Sequence, residues 1–334
     1  MRLIRRWGPW LLLVICLALP VLVKQPAWLD MLQFTFMYAA MSVGWDIMGG
    51  YAGYPSIGHV GFFGMSSYVA GLLLVHFGVN IFASALLVGL FGSLVGAGLG
   101  FISLRTRGPA FLIVTLVFAL TVQMLAENLN ALTGGTSGLY LPLLDLPPDV
   151  VILPFYYAML ALTVLAVATS TFIRASRFGL GLLAIREDEG KAEGSGINTA
   201  LYKILAFAVS VFFASVAGAL HAQYLNYVDP DLAFEFIIGL NMVVMALVGS
   251  RATPWGGVLG AVIMFPISQL LVYTLPDKFS GQVPLVELGI LLILIPMFLP
   301  DGIIKSLERW AERRRRRPRV PSTDTFAPAP VGAP

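Results

Sequence analysis

The sequence predicts an all-α polytopic membrane protein with about 8–10 transmembrane helices, because apolar stretches of about 20 residues recur along almost the whole chain. Of its 334 residues, 58% are hydrophobic and 12% are charged, whereas soluble domains use roughly 45–50% apolar residues. The mean hydropathy is +0.85. The apolar runs are continuous rather than alternating, which excludes a transmembrane β-barrel.

Ten apolar segments divide a predicted transmembrane domain that covers residues 1–300. They lie near residues 7–23, 29–50, 57–77, 80–103, 109–127, 151–173, 203–225, 235–252, 255–275 and 283–299. The first is preceded by arginines, but no convincing small-x-small cleavage site follows it. We therefore interpret it as a membrane helix rather than a secretory signal.

The turn between the second and third segments, Gly49–Ser56, is uncharged and rich in glycine. It could therefore lie within the bilayer, where non-helical backbone is tolerated only when it is buried in protein or lines a cavity. Eight full spans with broken or re-entrant segments would give the same charge pattern as ten spans.

The placement of charges predicts the orientation of the chain. With a cytoplasmic N-terminus, only Lys24 and Lys278 fall outside, and the other 19 of the 21 basic residues face the cytoplasm. The positive-inside rule strongly favours this orientation. The outer loops instead collect acidic residues: Asp145, Asp149, Asp229, Asp231 and Asp277.

The loop 174–203, on the predicted cytoplasmic side, is the least generic feature of the chain. Its 30 residues hold nine charges between two long apolar runs. Glu187 and Lys191 stand four apart with the acid first, which supports a helix. A short amphipathic helix with polar residues of mixed sign favours a protein partner over anionic lipid. The loop is therefore predicted to dock on another protein.

The stretch Gly49–Ala70 contains six glycines and one proline. A broken helix whose free N–H groups face a cavity is a recurring way to handle a carboxylate in transporters. The candidate translocation-pathway residues are Gly53, Ser56, Gly58 and His59. The alternative is that the glycines only allow close helix packing and that His59 is a packed, hydrogen-bonded side chain.

Asp46 and Glu287 are the ionisable residues deepest in otherwise apolar segments. A charge at that depth is costly, so each must pair, be protonated or line water. A proton relay is one hypothesis, and a hydrogen-bonded helix contact is the other. Separately, Gly92, Gly96 and Gly100 share one helix face, a small-residue ridge that predicts tight helix packing.

The remaining signals exclude several kinds of site. The single cysteine, Cys16, rules out disulfides and cysteine-based metal sites within one chain. No Walker motif occurs, so we expect that this chain does not hydrolyse ATP by itself. We also expect no catalytic, metal-binding or cofactor-binding residue in it. Residues 301–334 form a basic, then Pro/Ala-rich tail that is expected to be disordered and cytoplasmic. Its arginines are expected to contact anionic membrane lipid rather than nucleic acid.

At this point the motifs resemble those of LivM-type permease subunits of branched-chain amino acid ABC transporters, over about residues 30–300. The matching motifs are Gly53–His59 with Phe62–Gly64, Arg107-Gly108 leading to Thr133–Gly135, Ala184–Glu189 through Glu193, Gly196–Asn198, Tyr202-Lys203, Ala214 through Leu220, and Gly256–Ala261. Several ordered motifs make this resemblance specific.

The resemblance implies a multi-pass protein of a bacterial or archaeal cytoplasmic membrane. Its implied partners are a second homologous permease, two cytoplasmic ATPases that carry ATP and Mg²⁺, and an extracytoplasmic substrate-binding protein. It also implies that the loop supplies a coupling helix that docks on an ATPase. The residues implied for this coupling are Ala184, Arg186, Glu187, Glu193 and Gly196.

Three other functions remain open from the sequence. A urea or short-amide importer shares these motifs, since substrate selection rests largely with the binding protein. A stand-alone ion-coupled secondary transporter is a different class and would need intramembrane charges but no ATPase. A membrane scaffold, a third class, would not need the broken segment. The mixed-charge loop favours the ATP-driven importer over the last two.

Overall fold

The computed structural model describes residues 2–23, 25–103, 109–144, 147, 150–274, 283–299 and 301–315. The predicted all-α class is confirmed, since most of these residues are helical. The helices are α1 (Arg2–Leu22), α2 (Pro26–Asp46), α3 (His59–Phe77), α4 (Ile81–Ser103), α5 (Pro109–Asn128), α6 (Asn130–Thr133), α7 (Ile152–Ala175), α8 (Arg177–Glu187), α9 (Glu189–Gly194), α10 (Thr199–Leu225), α11 (Pro230–Ala233), α12 (Phe236–Gly249), α13 (Gly256–Thr274), α14 (Val283–Phe298) and α15 (Gly302–Arg315).

Each of the ten apolar segments contains one long helix. Within the described residues, six stretches are long and apolar enough to cross a membrane, namely His59–Phe77, Ile81–Ser103, Ala110–Asn128, Ile152–Ala175, Thr199–Leu225 and Pro230–Gly249. Shorter apolar helices cover Leu11–Leu22, Gly256–Val272 and Leu285–Leu294. The chain is therefore a multi-pass membrane protein.

Helix α2 lies at the centre of the bundle, packed against α7, α10, α12 and α13. Every residue from Thr35 to Asp46 is buried. Polar side chains in and around this helix bond to backbone carbonyls of their own or neighbouring helices, as buried polar groups must. The hydroxyl of Ser42 donates to the carbonyl of Met242 at 2.9 Å, and the hydroxyl of Thr163 donates to that of Phe36 at 2.8 Å.

The glycine ridge on α4 packs against α10, as the sequence predicts. A methyl group placed on Gly92 would lie 2.0 Å from Ser215 Oγ, and one on Gly96 would lie 2.6 Å from Val211 Cγ2. The absence of side chains at these positions therefore sets how closely the two helices approach.

The glycine cluster 134–138 forms a tight turn, with positive φ at Gly134, Gly135 and Gly138. It leads into a two-residue strand, β1 (Leu139–Tyr140), which pairs antiparallel with β2 (Tyr227–Val228). This short sheet joins the segment after α6 to the segment after α10, at the end of the bundle opposite α8 and α9.

The prediction of disorder is wrong for the first part of the tail, because α15 covers Gly302–Arg315. Gly302 adopts a left-handed φ of 77°, which lets the chain turn against Ser250. Lys305 then donates to the carbonyl of Arg251 at 2.5 Å, and Arg309 pairs with Asp301 at 2.5 Å. Composition alone missed these tertiary anchors, and residues 316–334 lie outside the described residues.

Candidate coupling site

The loop 174–203 folds into the two short helices α8 and α9, whose ends are set by local sequence. The side chains of Ser176, Asp188 and Asn198 each accept the backbone N–H three residues later, at 3.1–3.2 Å. Such caps satisfy N–H groups that a helix start leaves free. The caps therefore begin α8, α9 and the following helix α10 at fixed residues.

One face of the two short helices packs onto the bundle while the other is exposed. Leu182, Ile185 and Ala192 are buried. At Gly181 an added methyl group would lie 2.4 Å from the ring of Tyr202, so this glycine permits close contact between α8 and α10. These two helices form a platform that is seated on the bundle by its apolar face and exposes Glu187 and Asp188 on the other.

The five residues implied in coupling have different positions on this platform. Ala184 is partly buried, and Glu193 accepts a 2.7 Å hydrogen bond from the Thr199 hydroxyl. Gly196 has a φ of 84°, and its N–H donates to the carbonyl of Glu193 to close α9. Glu187 is exposed, and within the described part of the chain no hydrogen bond or ion pair engages its carboxylate. Glu187 is thus placed for contact with another molecule.

The glycine-rich break lies beside this platform. Helix α2 ends in one π-helical turn, Ile47–Tyr51, and residues 52–58 then follow an irregular path to α3. The indole N–H of Trp45 donates to the carbonyl of Ser56 at 2.7 Å. This bond folds the break back on the end of α2. The break therefore joins two helices at the end of the bundle that also carries α8 and α9.

Arg186 connects α8 directly to the break. Its Nη1 donates to the carbonyl of Gly50 at 2.8 Å, and this carbonyl belongs to the π-helical turn. Gly53 has a φ of 77°, and a methyl group there would lie 2.9 Å from Arg186 Cγ. The glycine is needed both for its backbone conformation and for the approach of the arginine.

Glu189 forms a second connection, at the start of α9. Its carboxylate pairs with Lys203 Nζ at 2.6 Å and also accepts a short hydrogen bond from the Tyr54 hydroxyl. The ammonium of Lys203 lies 4.7 Å from the centre of the Tyr54 ring. The side chains of Lys203 and Glu189 are only 2% and 13% exposed. This buried cluster ties α9, α10 and the break together.

Asp46 lies at the end of α2, on the other side of the break. Its carboxylate accepts the backbone N–H groups of Ala252 and Thr253, at 2.9 and 3.2 Å. Arg174 donates to the carbonyl of Ala252 at 2.6 Å. These bonds hold the loop between α12 and α13 against α2. The structure therefore favours the hydrogen-bonded contact over the proton relay for Asp46.

The four candidate pathway residues do not share one surface. His59 and Ser56 are buried, and Gly58 packs against Thr115, whereas Gly53 is exposed beside Arg186. His59 Nε2 bonds to the Ser210 hydroxyl at 2.7 Å, and Nδ1 lies 3.3 Å from the Ser56 hydroxyl. These contacts favour a packed histidine between α3 and α10, and a transport role for the four residues stays a prediction.

Comparison with known proteins identifies the kind of molecule that carries this site. Residues 28–299 match the model of the branched-chain amino acid transport system / permease component family. The chain belongs to this family. The match covers α2 through α14, including the break and α8–α9, so this permease holds its candidate coupling site within the family domain.

Individual relatives agree with the family assignment. The permease is 27% identical over 320 residues to the high-affinity branched-chain amino acid transport system permease protein LivM of Salmonella typhimurium, covering 88% of this chain and 73% of the relative. The Escherichia coli K12 LivM is 26% identical over the same coverage. The Salmonella typhimurium LivH is 24% identical, with 80% and 91% of the two chains covered. No solved structure matches the permease significantly.

Sequence reasoning missed the cluster of Glu189, Lys203 and Tyr54. In the sequence, Tyr54 and Lys203 are 149 residues apart. Lys203 lies at the edge of an apolar run, where a lysine indicates the cytoplasmic end of a membrane helix. The only available hint was a lysine at the first position of a predicted span. A buried lysine needs a partner, and Glu189 is among the nearest acids in the loop.

Proposed function

We propose that this permease is the membrane subunit of an ATP-driven importer of branched-chain amino acids. Its termini face the cytoplasm of a bacterial or archaeal cell. It assembles with a second permease, two ATPases that carry ATP and Mg²⁺, and an extracytoplasmic binding protein. The observation that carries the proposal is the exposed platform of α8 and α9. Arg186 and Glu189 connect this platform to the break between α2 and α3.

The two contacts give a physical route for coupling. An ATPase that moves the platform would pull on the Gly50 carbonyl through Arg186 and on Tyr54 through Glu189. The residues between these points lack regular helical bonds, so the break can change shape at lower cost than a continuous helix. Helices α2 and α3 would then move relative to each other. Nucleotide and loaded binding protein must favour different conformations for this movement to drive transport.

The substrate class follows from the relatives, whose names specify branched-chain amino acid transport. The positive-inside distribution supports the cytoplasmic placement of the platform. With that orientation, the acidic loops face the compartment from which a binding protein would deliver its ligand.

Mild-detergent affinity purification from the native host, followed by reconstitution in proteoliposomes, tests the proposal. We expect co-purified ATPases with Walker motifs, a homologous permease, and leucine uptake that requires ATP and the binding protein. A homo-oligomer whose uptake is driven by an ion gradient alone would instead establish a secondary transporter. ATP-dependent uptake of urea without leucine would establish the short-amide importer.

A further inference from the structure

A polar cavity opens far from the coupling site, between α2, α12, α13 and α14. Its volume is about 220 Å³, well above the roughly 10–15 Å³ that one water molecule requires. Six polar side chains contribute to its lining: Tyr38, Glu235, Asn241, Ser268, Gln269 and Glu287. A space of this size and polarity within membrane-spanning helices holds water or a small solute.

The cavity runs from the end opposite α8 and α9 towards the middle of the bundle. Glu235 directly precedes α12 and is exposed, whereas Tyr38, in the middle of α2, is 7% exposed. Glu287 lies near the start of α14. Under the proposed orientation the mouth of the cavity faces the extracytoplasmic side, where a binding protein releases its ligand.

The cavity carries negative charge without a described counter-charge. Ser268 and Asn241 line the same cavity as Glu287 and Tyr38. Within the described ranges, no lysine or arginine nitrogen lies within 4.0 Å of Glu235 or Glu287. Carboxylates in a membrane-spanning region are costly and mark functional positions. A cationic group is the natural complement for these two.

The rest of the lining is apolar and belongs to the inner part of the cavity. Met245, Met264 and Phe265 line it, and the last two are 4% and 9% exposed. Binding sites for small molecules typically combine such apolar walls with a few polar groups that fix orientation. This wall suits an aliphatic side chain, while the amides of Asn241 and Gln269 supply N–H donors for a carboxylate.

We propose that this cavity is an entry site for a zwitterionic amino acid, whose ammonium group is met by Glu235 at the mouth and Glu287 within. The inference rests on the proposed function and adds the ligand class and the residues of the site. The site selects for a protonated amine next to an aliphatic group. Urea, which lacks that charge, is a poor ligand for it.

Leucine uptake by the complete transporter in proteoliposomes tests the site. Glu287→Gln keeps the size of the side chain but removes the charge. We expect the KM for leucine to rise about tenfold or more, as for loss of a hydrogen bond to a charged group. Glu287→Asp should retain part of the affinity. Asp231→Asn, an exposed acid on the same side, is the control and should leave uptake unchanged.

A labelling measurement supplements the kinetics. Glu287→Cys in a Cys16→Ala background, within the whole complex, should react with a cationic thiol reagent, and leucine with binding protein should slow that reaction. ATP-dependent leucine uptake with a normal KM in Glu287→Gln, together with labelling that leucine does not affect, would overturn the entry site while leaving the importer intact. Absence of ATP-dependent uptake in the unmodified complex would overturn the proposed function itself.

Discussion

The buried pair of Glu189 and Lys203 gives the most direct test of how α9 is attached to the bundle. Lys203→Met removes the ammonium group but keeps most of the apolar side chain. The carboxylate of Glu189 then stays in a site that is 13% exposed, where it still accepts the hydrogen bond from the Tyr54 hydroxyl. The charge of Glu189 therefore loses the attraction of the Lys203 ammonium in a largely water-free place.

The expected loss of stability in Lys203→Met follows from the burial of the pair. Breaking a buried ion pair by removing one partner costs about 3–5 kcal/mol, because an uncompensated charge is left behind. We expect a value near 3 kcal/mol for the local structure, since Glu189 keeps some contact with water. Replacing both partners by apolar groups of similar size is often neutral. Glu189→Leu/Lys203→Met should therefore regain most of the lost stability.

The assay is thermal unfolding of the detergent-solubilised complex, combined with ATP hydrolysis and leucine uptake in proteoliposomes. Lys203→Met should unfold at a clearly lower temperature, and the double variant should unfold close to the wild type. The double variant should hydrolyse ATP with reduced uptake per ATP, because Glu189→Leu removes the hydrogen bond that joins α9 to the Tyr54 hydroxyl. Lys203→Met keeps that bond and should keep more of the uptake per ATP. Lys191→Gln is the control, since its pair with Asp188 is exposed and such pairs contribute about 0–1 kcal/mol.

Two results would refute this reasoning. If Lys203→Met unfolds at the same temperature as Lys191→Gln, the buried pair of Glu189 and Lys203 contributes no more to stability than an exposed ion pair. If the double variant is no more stable than Lys203→Met, the buried charge that Glu189 keeps without Lys203 is not the cause of the loss. Full uptake per ATP in the double variant would separately show that the tie to Tyr54 does not transmit movement.

Three further predictions concern other parts of the chain. Gly218→Ala would place a methyl group 2.1 Å from the Phe63 carbonyl oxygen, so we expect the protein to lose about 1–3 kcal/mol of stability, measured by thermal unfolding. The control is Gly98→Ala, whose methyl group would meet nothing within 4 Å. Equal losses in the two variants would contradict the role of Gly218 in helix packing. Glu187→Lys should abolish uptake at normal expression and thermal stability, and normal uptake would remove Glu187 from the docking surface. His59→Leu should lower stability by about 1–3 kcal/mol, because the hydroxyl of Ser210 loses its hydrogen-bond partner. Uptake per assembled complex should stay near normal. Loss of uptake in a fully assembled complex would instead support a role of His59 in the translocation pathway.

The fold was largely predictable from the sequence, because each membrane helix corresponds to a long apolar run. Each of the ten segments holds a helix, and the glycine ridge of α4 meets α10 as its four-residue spacing requires. The helical start of the tail was not predictable. Its order depends on Ser250 and the carbonyl of Arg251, which lie about fifty residues earlier and which composition does not reveal.

The candidate site was predictable in outline but not in its connections. The charged loop and the glycine-rich break were each recognisable, and the structure brings them into contact through Arg186 and Gly50. The pairing of Tyr54 with Glu189 joins residues 135 positions apart, so no local pattern signals it. The resemblance in sequence implies that Gly196 acts in coupling, but the sequence does not show that its backbone conformation requires glycine. Its φ of 84° makes Gly196→Trp a test of backbone strain as much as of coupling.

The central claim is that α8 and α9 receive an ATPase, and cross-linking from Glu187 tests it most directly. A photo-reactive amino acid at position 187, activated in intact cells of the native host, would capture the neighbouring protein for identification. The same group at Tyr140, which is 77% exposed at the opposite end of the bundle, is the matched control. We predict that position 187 captures a protein with Walker motifs and that position 140 does not. Capture of that ATPase from neither position, or equally from both, would contradict the account.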